Sequence, residues 1–346
     1  MAAALGNELG ADSLTLIGRQ DGVTGLPEGI PSGRVAGGGY LGWLQTTASR
    51  DVKRTSADIA HYSQGMVPLV RATPTVLSVH DMSLVRLWKT HPVRRLTQIP
   101  LVLLSPRLAD LVLVPSRATA DEVMRLTGVP AAMIEVIPYA AQHQLAATDA
   151  ATARAALARH RLTPHSYILA LGTIEPRKNQ ARLVEAFEHA VRTRLVPADT
   201  ELVFVGGLGW HAAPIIKRMR ISQVADRIRR LGYVPSDDLW PLMSQAAAVA
   251  YVSLYEGFGL PVVEAMACGA PTVTSNISSM PEVAGDAGFL VDPMEARAIA
   301  HGISDAIYAR NTDPNGVASR AVAQAAKFSW QRAARSAIDV YRILLS

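Results

Sequence analysis

The chain has 346 residues, of which 49% are hydrophobic and 18% are charged, and its mean hydropathy is +0.17. A single hydrophobic core stops growing at roughly 250 to 300 residues, so a chain of this length is expected to form two domains. The high apolar content excludes an intrinsically disordered chain, which could not bury enough apolar surface to fold.

The charge balance favours an anionic partner. The formal net charge is +5 and the isoelectric point lies near 9.5, which suits phosphate esters, nucleic acid or an acidic membrane surface. The sequence contains no helix-turn-helix, zinc-finger or aromatic RNA-binding motif, so nucleic acid is not expected as a partner. The basic residues are scattered apart from one group, formed by Arg86, Lys89, His91, Arg94 and Arg95.

The single cysteine, Cys268, excludes an intramolecular disulfide and a cysteine-based zinc cluster, and it fits a reducing compartment. It lies in an apolar run and is predicted to be buried rather than reactive. No stretch reaches the roughly 18 apolar residues of a membrane span, and the N-terminus lacks the pattern of a signal peptide. We therefore expect a cytoplasmic protein.

The N-terminal half begins with a predicted helix at Met1–Gly10 and continues with short apolar runs that predict strands. The Gly- and Pro-rich stretch Gly22–Gly42 predicts a loop. A doubly wound domain normally opens with a strand and a Gly-rich turn, so its first strand is expected to be missing here or to lie upstream. The predicted strands are Ser13–Ile17, Asp58–Tyr62, Thr75–Val79, Asp110–Val114 and Ile134–Ile137.

The C-terminal half alternates short β-branched runs with amphipathic helical stretches, which is the pattern of βαβ units. The runs are uniformly apolar, so both faces of a parallel sheet are expected to be covered. The segment Ala140–Ala158 joins the halves as a loop followed by a helix. The predicted strands are Tyr167–Leu171, Glu201–Val205, Ile228–Leu231, Ala248–Val252, Pro271–Thr274 and Gly288–Val291.

These patterns predict an α/β protein with two Rossmann-like domains, at residues 1–150 and 151–327, facing each other across a cleft. Ligands of such domains bind at the carboxyl ends of the strands. The last segment, 328–346, is predicted to be a helix that crosses back to the first domain, because apolar residues recur at helical spacing from Trp330 to Leu345.

The strongest chemical signal follows the strand that ends at Val252 and reads Tyr255-Glu256-Gly257-Phe258-Gly259-Leu260-Pro261-Val262-Val263-Glu264. Pro261 is favoured in a first helical turn, so a helix should begin at about Leu260, with Glu256 on the loop and Glu264 one turn inside. The amides at that helix start would present unpaired donors and the positive end of the helix dipole to an anionic or hydroxyl-rich ligand. Taken alone, two such glutamates would indicate a helix cap and a surface carboxylate.

A second group of polar residues follows the strand Tyr167–Leu171 and reads Gly172-Thr173-Ile174-Glu175-Pro176-Arg177-Lys178-Asn179. Arg177 and Lys178 lie on a strand-to-helix loop, a common place for phosphate contacts, and two adjacent cations can offset the charge of a diphosphate. The sequence has no Asp-x-Asp motif for a divalent metal, so neither a metal nor another cofactor is expected. Without its context, this pair would indicate a solvated helix start.

Together these strings resemble glycosyltransferase family 4, whose E-x7-E element corresponds to Glu256 and Glu264. The resemblance runs from about Ile168 to Pro293 and includes Gly269–Val273, Pro281–Gly285 and Gly288–Pro293. It implies a retaining hexosyltransferase with the GT-B fold, in which the first domain faces the acceptor and the second binds a nucleotide sugar.

The resemblance also implies residue roles. The first glutamate would contact the donor sugar and the second would hold the ribose hydroxyls. Arg177 and Lys178 would stabilise the leaving diphosphate without a metal. The remaining donor-binding positions would be Gly172, Thr173, Gly206, Gly207, Tyr233, Val234 and Pro235, with the loop residues Gly257, Phe258, Gly259 and Leu260.

In the first domain, the resemblance implies that His80 reaches the donor sugar or phosphate, and Asp81 is a second candidate. A lone histidine at a strand end is often structural. Ser116 and Arg117 resemble a helix start of the family, and helix capping by Ser116 is the simpler interpretation.

The expected function is transfer of a hexose, with mannose from GDP-mannose favoured by the likeness to bacterial mannosyltransferases, onto a hydroxyl of a glycan or lipid-linked acceptor in polysaccharide biosynthesis. UDP-glucose or another UDP-sugar is the alternative donor. A non-catalytic, sugar-nucleotide-binding partner subunit is the alternative class. The segment from Leu84 to Arg95 mixes apolar and cationic residues, which fits either peripheral contact with an anionic membrane or a solvated helix face.

Overall fold

The computed structural model describes residues 1–10, 13–19, 32–35, 39–141 and 149–346, and the chain divides into two compact units. The chain passes from the first unit to the second between residues 139 and 140, and back to the first between residues 328 and 329. The sequence predicted these two boundaries at 150/151 and 327/328. The first unit contains Met1–Val85, Arg94–Tyr139 and Ser329–Ser346, and the second contains Arg86–Val93 and Ala140–Phe328.

The segment Arg86–Val93 thus belongs to the second unit, although the sequence analysis placed it in the first. Its His91 side chain is buried and lies against Trp210, with the ring centroids 5.2 Å apart. Composition and periodicity indicate which residues are apolar but not which residues they pack against. The packing of Arg86–Val93 in the second unit could therefore not be predicted.

The described strands and helices of the first 139 residues begin and end as follows. The strands are β1 (Leu16–Arg19), β2 (Ser32–Val35), β3 (Ala60–Tyr62), β4 (Thr75–Ser78), β5 (Leu111–Val114) and β6 (Ile134–Val136). The helices are α1 (Ala2–Leu9), α2 (Tyr40–Thr46), α3 (Ala48–Arg54), α4 (Ser83–Arg86), α5 (Val93–Leu96), α6 (Ile99–Leu108) and α7 (Arg117–Thr127).

The first unit is built on a parallel sheet in the order β3-β4-β5-β6. Side chains alternate between its faces, so Leu77 and Val112 join one hydrophobic cluster while Val76 and Leu113 join another. Strand β1 pairs with β2 in a separate parallel ribbon, and Ile17 packs against the first of these clusters.

The strand β2 corrects the prediction of a continuous loop at Gly22–Gly42. Residues 32–35 pair with β1, and this pairing is a long-range contact that local Gly and Pro content does not reveal. Residues 22–31 and 36–38 of that predicted loop lie outside the described residues. The N-terminal helix prediction is confirmed by α1.

The second unit contains a six-stranded parallel sheet in the order β12-β11-β10-β7-β8-β9. Its strands are β7 (Tyr167–Leu171), β8 (Glu201–Val205), β9 (Ile228–Gly232), β10 (Ala248–Tyr251), β11 (Thr272–Ser275) and β12 (Phe289–Val291). Its helices are α8 (Ala150–His160), α9 (Gln180–Arg192), α10 (Ala212–Arg220), α11 (Ser236–Ser244), α12 (Leu260–Ala267), α13 (Met280–Ala284), α14 (Ala296–Thr312) and α15 (Pro314–Ala325).

All six strands predicted for this half are confirmed within two residues at each end. The residues of β7, β10 and β11 are all buried, which confirms that both faces of the sheet are covered. Residues 142–148 of the joining segment lie outside the described residues, and α8 follows them.

The last helix, α16 (Trp330–Leu345), has the bounds that the sequence predicts. It belongs to the first unit, where Ala333, Ala337 and Val340 are buried together with Val76 and Leu113 of the sheet.

Candidate functional site

The turn between β10 and α12 carries the two glutamates of the strongest motif. Gly259 immediately precedes the helix with φ 107°, a left-handed conformation that a residue with a Cβ rarely adopts, and Pro261 lies in the first turn. The helix begins at Leu260, so the prediction of Glu256 on the loop and Glu264 one turn inside is confirmed.

Arg177 and Lys178 both contact Glu256. The Arg177 Nη1 atom donates to Glu256 Oε2 at 2.6 Å, and the Lys178 Nζ atom donates to Oε1 at 2.7 Å. Arg177 Nη1 also donates to the carbonyl oxygen of Tyr255 at 3.2 Å. Glu256 is 7% exposed, so these charge-assisted bonds are little screened by water. Two motifs that lie 78 residues apart in sequence thus form one site.

Glu175 completes the charge balance of this site. Its Oε1 atom accepts from Arg177 Nε at 3.2 Å, and its side chain is buried. The cations Arg177 and Lys178 are therefore paired with the carboxylates of Glu175 and Glu256. The positive charge that was expected to be available for a diphosphate is balanced within the free protein. Glu175 lies in the same motif as Arg177 and Lys178, but the sequence alone indicates no role for it.

Tyr251 is a further member that sequence analysis missed. Lys178 Nζ donates to its hydroxyl oxygen at 2.5 Å and lies 4.9 Å from its ring centroid, in a cation–π contact. Burial raises the pKa of Tyr251 well above its ordinary value, and the charge of Glu256 adds to this effect. The only sequence signal was a tyrosine inside an otherwise aliphatic strand.

Asn179 fixes the loop that carries the two cations. It adopts a left-handed conformation with φ 61°, and its Nδ2 atom donates to the carbonyl oxygens of Val252 at 3.1 Å and Pro293 at 2.7 Å. The Leu254 amide donates to the carbonyl oxygen of Arg177 at 2.9 Å. These bonds join the loops after β7 and β10, so the cations and Glu256 are held in one frame.

The residues of the loop Glu256–Gly259 are buried. The Ser279 hydroxyl donates to the carbonyl oxygens of Glu256 at 3.0 Å and Phe258 at 2.7 Å. The Ser278 hydroxyl oxygen accepts from the Glu256 amide at 3.1 Å. The loop is therefore held by hydrogen bonds from Ser278 and Ser279, which follow β11. This contact joins segments that are distant in sequence, so the local motif does not predict it.

Glu264 is half-buried on α12, and burial raises its pKa to about 7. Cys268, predicted to be buried, is only half-buried at the end of the same helix. Burial, with the nearby charge of Glu264, raises the pKa of the Cys268 thiol to about 12. This cysteine is therefore an unreactive thiol.

The glycines predicted to contact the donor end neighbouring strands. Gly172 and Gly206 have φ of 106° and 141°, and the Gly172 amide donates to the carbonyl oxygen of Val205 at 2.9 Å. A Cβ on Gly206 would lie 2.2 Å from the Gly172 carbonyl oxygen, so only glycine allows the two turns to meet. Thr173 and Gly207 are exposed beside them.

Replacing Gly206 by alanine is expected to lower the free energy of unfolding by at least about 2 kcal/mol, because the left-handed backbone and the overlap with the Gly172 carbonyl both oppose a Cβ. Urea unfolding measures this change. Gly207→Ala is the matched control, since a Cβ there has no neighbour within 4 Å. Equal stability of the two variants would contradict this account of the turn.

Three of the predicted donor-binding positions, Tyr233, Val234 and Pro235, follow β9. Tyr233 is 81% exposed, Val234 is buried and Pro235 immediately precedes α11. This places an accessible aromatic ring at the carboxyl end of a strand of the same sheet.

The remaining predicted residues lie in the first unit. His80 is exposed two residues after β4 and contacts Ser63 and Tyr139. Asp81 accepts from the Ser83 amide at 2.7 Å. The Ser116 hydroxyl accepts from the Thr119 amide at 3.1 Å at the start of α7, which confirms the capping interpretation.

Within the described part of the chain, no group of three or more His, Cys, Asp or Glu side chains is arranged to bind a metal ion. Over the same residues, every helix is too short or too polar to cross a lipid bilayer.

Comparison with known proteins gives consistent matches. Residues 158–317 match the family model described as Glycosyl transferases group 1, and residues 18–143 match that described as Glycosyltransferase Family 4. The O-antigen chain mannosyltransferase B of Escherichia coli is 33% identical over 305 residues, which are 87% of this chain and 77% of that protein.

Two solved structures share the fold. WaaG, a glycosyltransferase involved in lipopolysaccharide biosynthesis, superposes with a TM-score of 0.74 at 13% identity, covering 97% of this chain and 94% of that one. HepE of Anabaena, in complex with UDP and glucose, has a TM-score of 0.71 at 21% identity, covering 91% and 86%. These likenesses confirm an α/β fold of the GT-B type with two Rossmann-like units.

Proposed function

Because the chain belongs to glycosyltransferase family 4, we propose that it transfers a hexose, with retention at the anomeric carbon, from a nucleoside diphosphate sugar to an acceptor hydroxyl. The observation that carries this proposal is the convergence of Arg177, Lys178 and Glu256 beside the start of α12. Cations and a helix N-terminus at one place form a site for an anionic leaving group.

In this reaction the bond from the anomeric carbon to the diphosphate oxygen breaks, and the electron pair leaves with the nucleoside diphosphate. The acceptor oxygen attacks on the same face of the sugar and gives its proton to the departing diphosphate. Arg177, Lys178 and the helix start stabilise the charge that develops on the leaving group, so the step needs neither a metal nor another cofactor. No carboxylate is assigned as a nucleophile.

Mannose from GDP-mannose is the donor we propose. The support is the 33% identity to a mannosyltransferase over most of both chains. The alternative is UDP-glucose or another UDP-sugar, because HepE has the same fold and binds UDP and glucose. The diphosphate and the ribose are common to both donors, so the roles proposed for Arg177, Lys178 and Glu264 would serve either.

The acceptor we propose is a glycan or lipid-linked hydroxyl, reached in the cytoplasm at the inner face of the membrane. In the segment Arg86–Val93, Trp88 is 49% exposed with the Lys89 ammonium 5.5 Å from its ring, and Val93 is 79% exposed. Exposed aromatic, apolar and cationic side chains together suit an anionic membrane surface. Co-sedimentation with phosphatidylglycerol vesicles tests this location.

The purified protein should be assayed with GDP-mannose, UDP-glucose and UDP-mannose for binding and for slow donor hydrolysis. We expect saturable binding of GDP-mannose and release of GDP. Binding and hydrolysis of UDP-glucose alone would favour the alternative donor. Binding without release of any nucleotide would favour a non-catalytic partner subunit, and the absence of binding would refute the proposed function.

Glu264 predicts a pH dependence of donor binding. Its carboxyl has a pKa of about 7 in the free protein, and the ionised form is the better acceptor for ribose hydroxyls. Binding below pH 7 then requires loss of a proton, so the affinity for GDP-mannose should rise about tenfold from pH 6 to pH 8. Titration calorimetry measures this affinity at each pH. The diphosphate diester of GDP-mannose keeps its charge from pH 6 to pH 8, so a change in affinity reports on the protein.

The Glu264→Gln variant is the control for that measurement. It should bind GDP-mannose more weakly, with an affinity that no longer changes between pH 6 and pH 8. A wild-type affinity that is flat over this range would show that Glu264 does not hold the ribose as a carboxylate.

A further inference from the structure

His80 has both ring nitrogens engaged by groups of its own unit. Its Nε2 atom lies 2.6 Å from the carbonyl oxygen of Ser63, and its Nδ1 atom contacts the hydroxyl of Tyr139. A carbonyl oxygen only accepts hydrogen bonds, so Nε2 carries the hydrogen. In the neutral ring, Nδ1 then accepts and the Tyr139 hydroxyl donates, which fixes both the tautomer and the direction of the ring.

Tyr139 is itself held in place. Its ring stacks on the indole of Trp330, with centroids 5.7 Å apart and an angle of 24° between the planes. Trp330 is the first residue of α16, and Ser329 caps that helix. Burial, reinforced by the charge of Asp81, raises the pKa of Tyr139 well above its ordinary value, so its hydroxyl keeps the proton that it donates.

A second tyrosine–histidine pair in the same unit, Tyr341 and His61, can be compared with Tyr139 and His80. His61 Nδ1 lies 2.7 Å from the hydroxyl oxygen of Tyr341, and its Nε2 lies 2.7 Å from Ser78 Oγ. Burial, with a smaller effect of nearby His80, lowers the pKa of His61 to about 4. His61 is half-buried within β3, whereas the ring of His80, which also has a hydrogen-bond partner at each nitrogen, is exposed beyond the carboxyl end of β4.

We propose that Tyr139 is a positioning residue for His80: its hydroxyl holds the exposed imidazole in one tautomer and one orientation. This inference rests on the proposed function and on the sequence-based prediction that His80 contacts the donor. Tyr139 acts through His80 and needs no contact with the ligand. A ring oriented before binding loses less conformational freedom when the donor arrives.

The decisive variant is Tyr139→Phe, which keeps the ring that stacks on Trp330 and removes only the hydroxyl. Loss of one hydrogen bond of this kind should lower kcat/KM about 3- to 10-fold. The matched control is Tyr341→Phe, which removes the same kind of bond from His61 and should leave kcat/KM within about twofold of wild type. Similar melting temperatures in both variants would separate positioning from stability.

Two further measurements test whether Tyr139 acts through His80. In the His80→Ala background, Tyr139→Phe should cause no additional loss of kcat/KM. In nitrogen-15 long-range correlation spectra of the free protein, wild-type His80 should show one protonated nitrogen and one hydrogen-bonded acceptor nitrogen. The acceptor signal should move toward the value of an unbonded nitrogen in Tyr139→Phe.

The proposal is overturned if Tyr139→Phe leaves the His80 spectrum unchanged, or if it lowers kcat/KM by the same factor with and without His80. The spectra need no substrate, so they judge the tyrosine–histidine bond even if no nucleotide sugar reacts. A normal spectral change together with wild-type activity in His80→Ala would refute the role of His80 in the proposed function and the positioning role with it.

Discussion

Replacing Lys178 by alanine is expected to lower kcat for sugar transfer by about 10²- to 10³-fold, the loss typical when one preorganised charge that stabilises a transition state is removed. Lys178 is bonded to Glu256 and Tyr251 in a site from which water is largely excluded, so solvent does not replace its charge. Steady-state kinetics with saturating donor and acceptor measure the effect.

Lys217→Ala is the matched control, because Lys217 is an exposed lysine on α10 of the same unit. It should retain wild-type kcat. Lys178→Met should behave like Lys178→Ala while keeping the aliphatic stem, which separates loss of charge from loss of packing. A folded Lys178→Ala protein with turnover within about threefold of wild type would contradict the assigned role.

Replacing Glu256 by glutamine is expected to have opposite effects on nucleotide binding and on transfer. Arg177 and Lys178 are each bonded to the Glu256 carboxylate in the free protein, so a bound diphosphate competes with it for the same cations. Removing that negative charge should tighten GDP binding about tenfold, since a unit charge a few ångströms away is worth on the order of 1 to 4 kcal/mol. Transfer should fall at least about 100-fold, because the contact of the carboxylate with the donor sugar is lost.

Titration calorimetry with GDP and guanosine tests the first part. Guanosine has no phosphate and should bind wild type and Glu256→Gln equally. Unchanged or weaker GDP binding by Glu256→Gln would show that the carboxylate does not compete with the diphosphate.

The strands of the second unit and the start of α12 could be predicted because the residues that determine them are close together in sequence. Strands such as β7 and β8 are continuous apolar runs bounded by turn residues, and Pro261 marks the start of α12. The strand β2, its pairing with β1, and the packing of Arg86–Val93 in the second unit were missed. All three depend on partners distant in sequence, which periodicity does not report.

In the candidate site, too, local motifs could be predicted and contacts between distant segments could not. The two motifs with Arg177, Lys178 and Glu256 were found, and the structure brings them together. The charge compensation by Glu175 and the contact of Tyr251 with Lys178 were not foreseen, because each requires the distance between side chains on different loops. For the same reason, the residues around His80 became visible only in the folded first unit.

A crystal structure of the protein with GDP-mannose tests the central claim most directly. We expect diphosphate oxygens within about 3 Å of Arg177 and Lys178, with the Glu256 carboxylate released from at least one of these cations. A nucleotide bound elsewhere, while both cations remain paired with Glu256, would contradict the account.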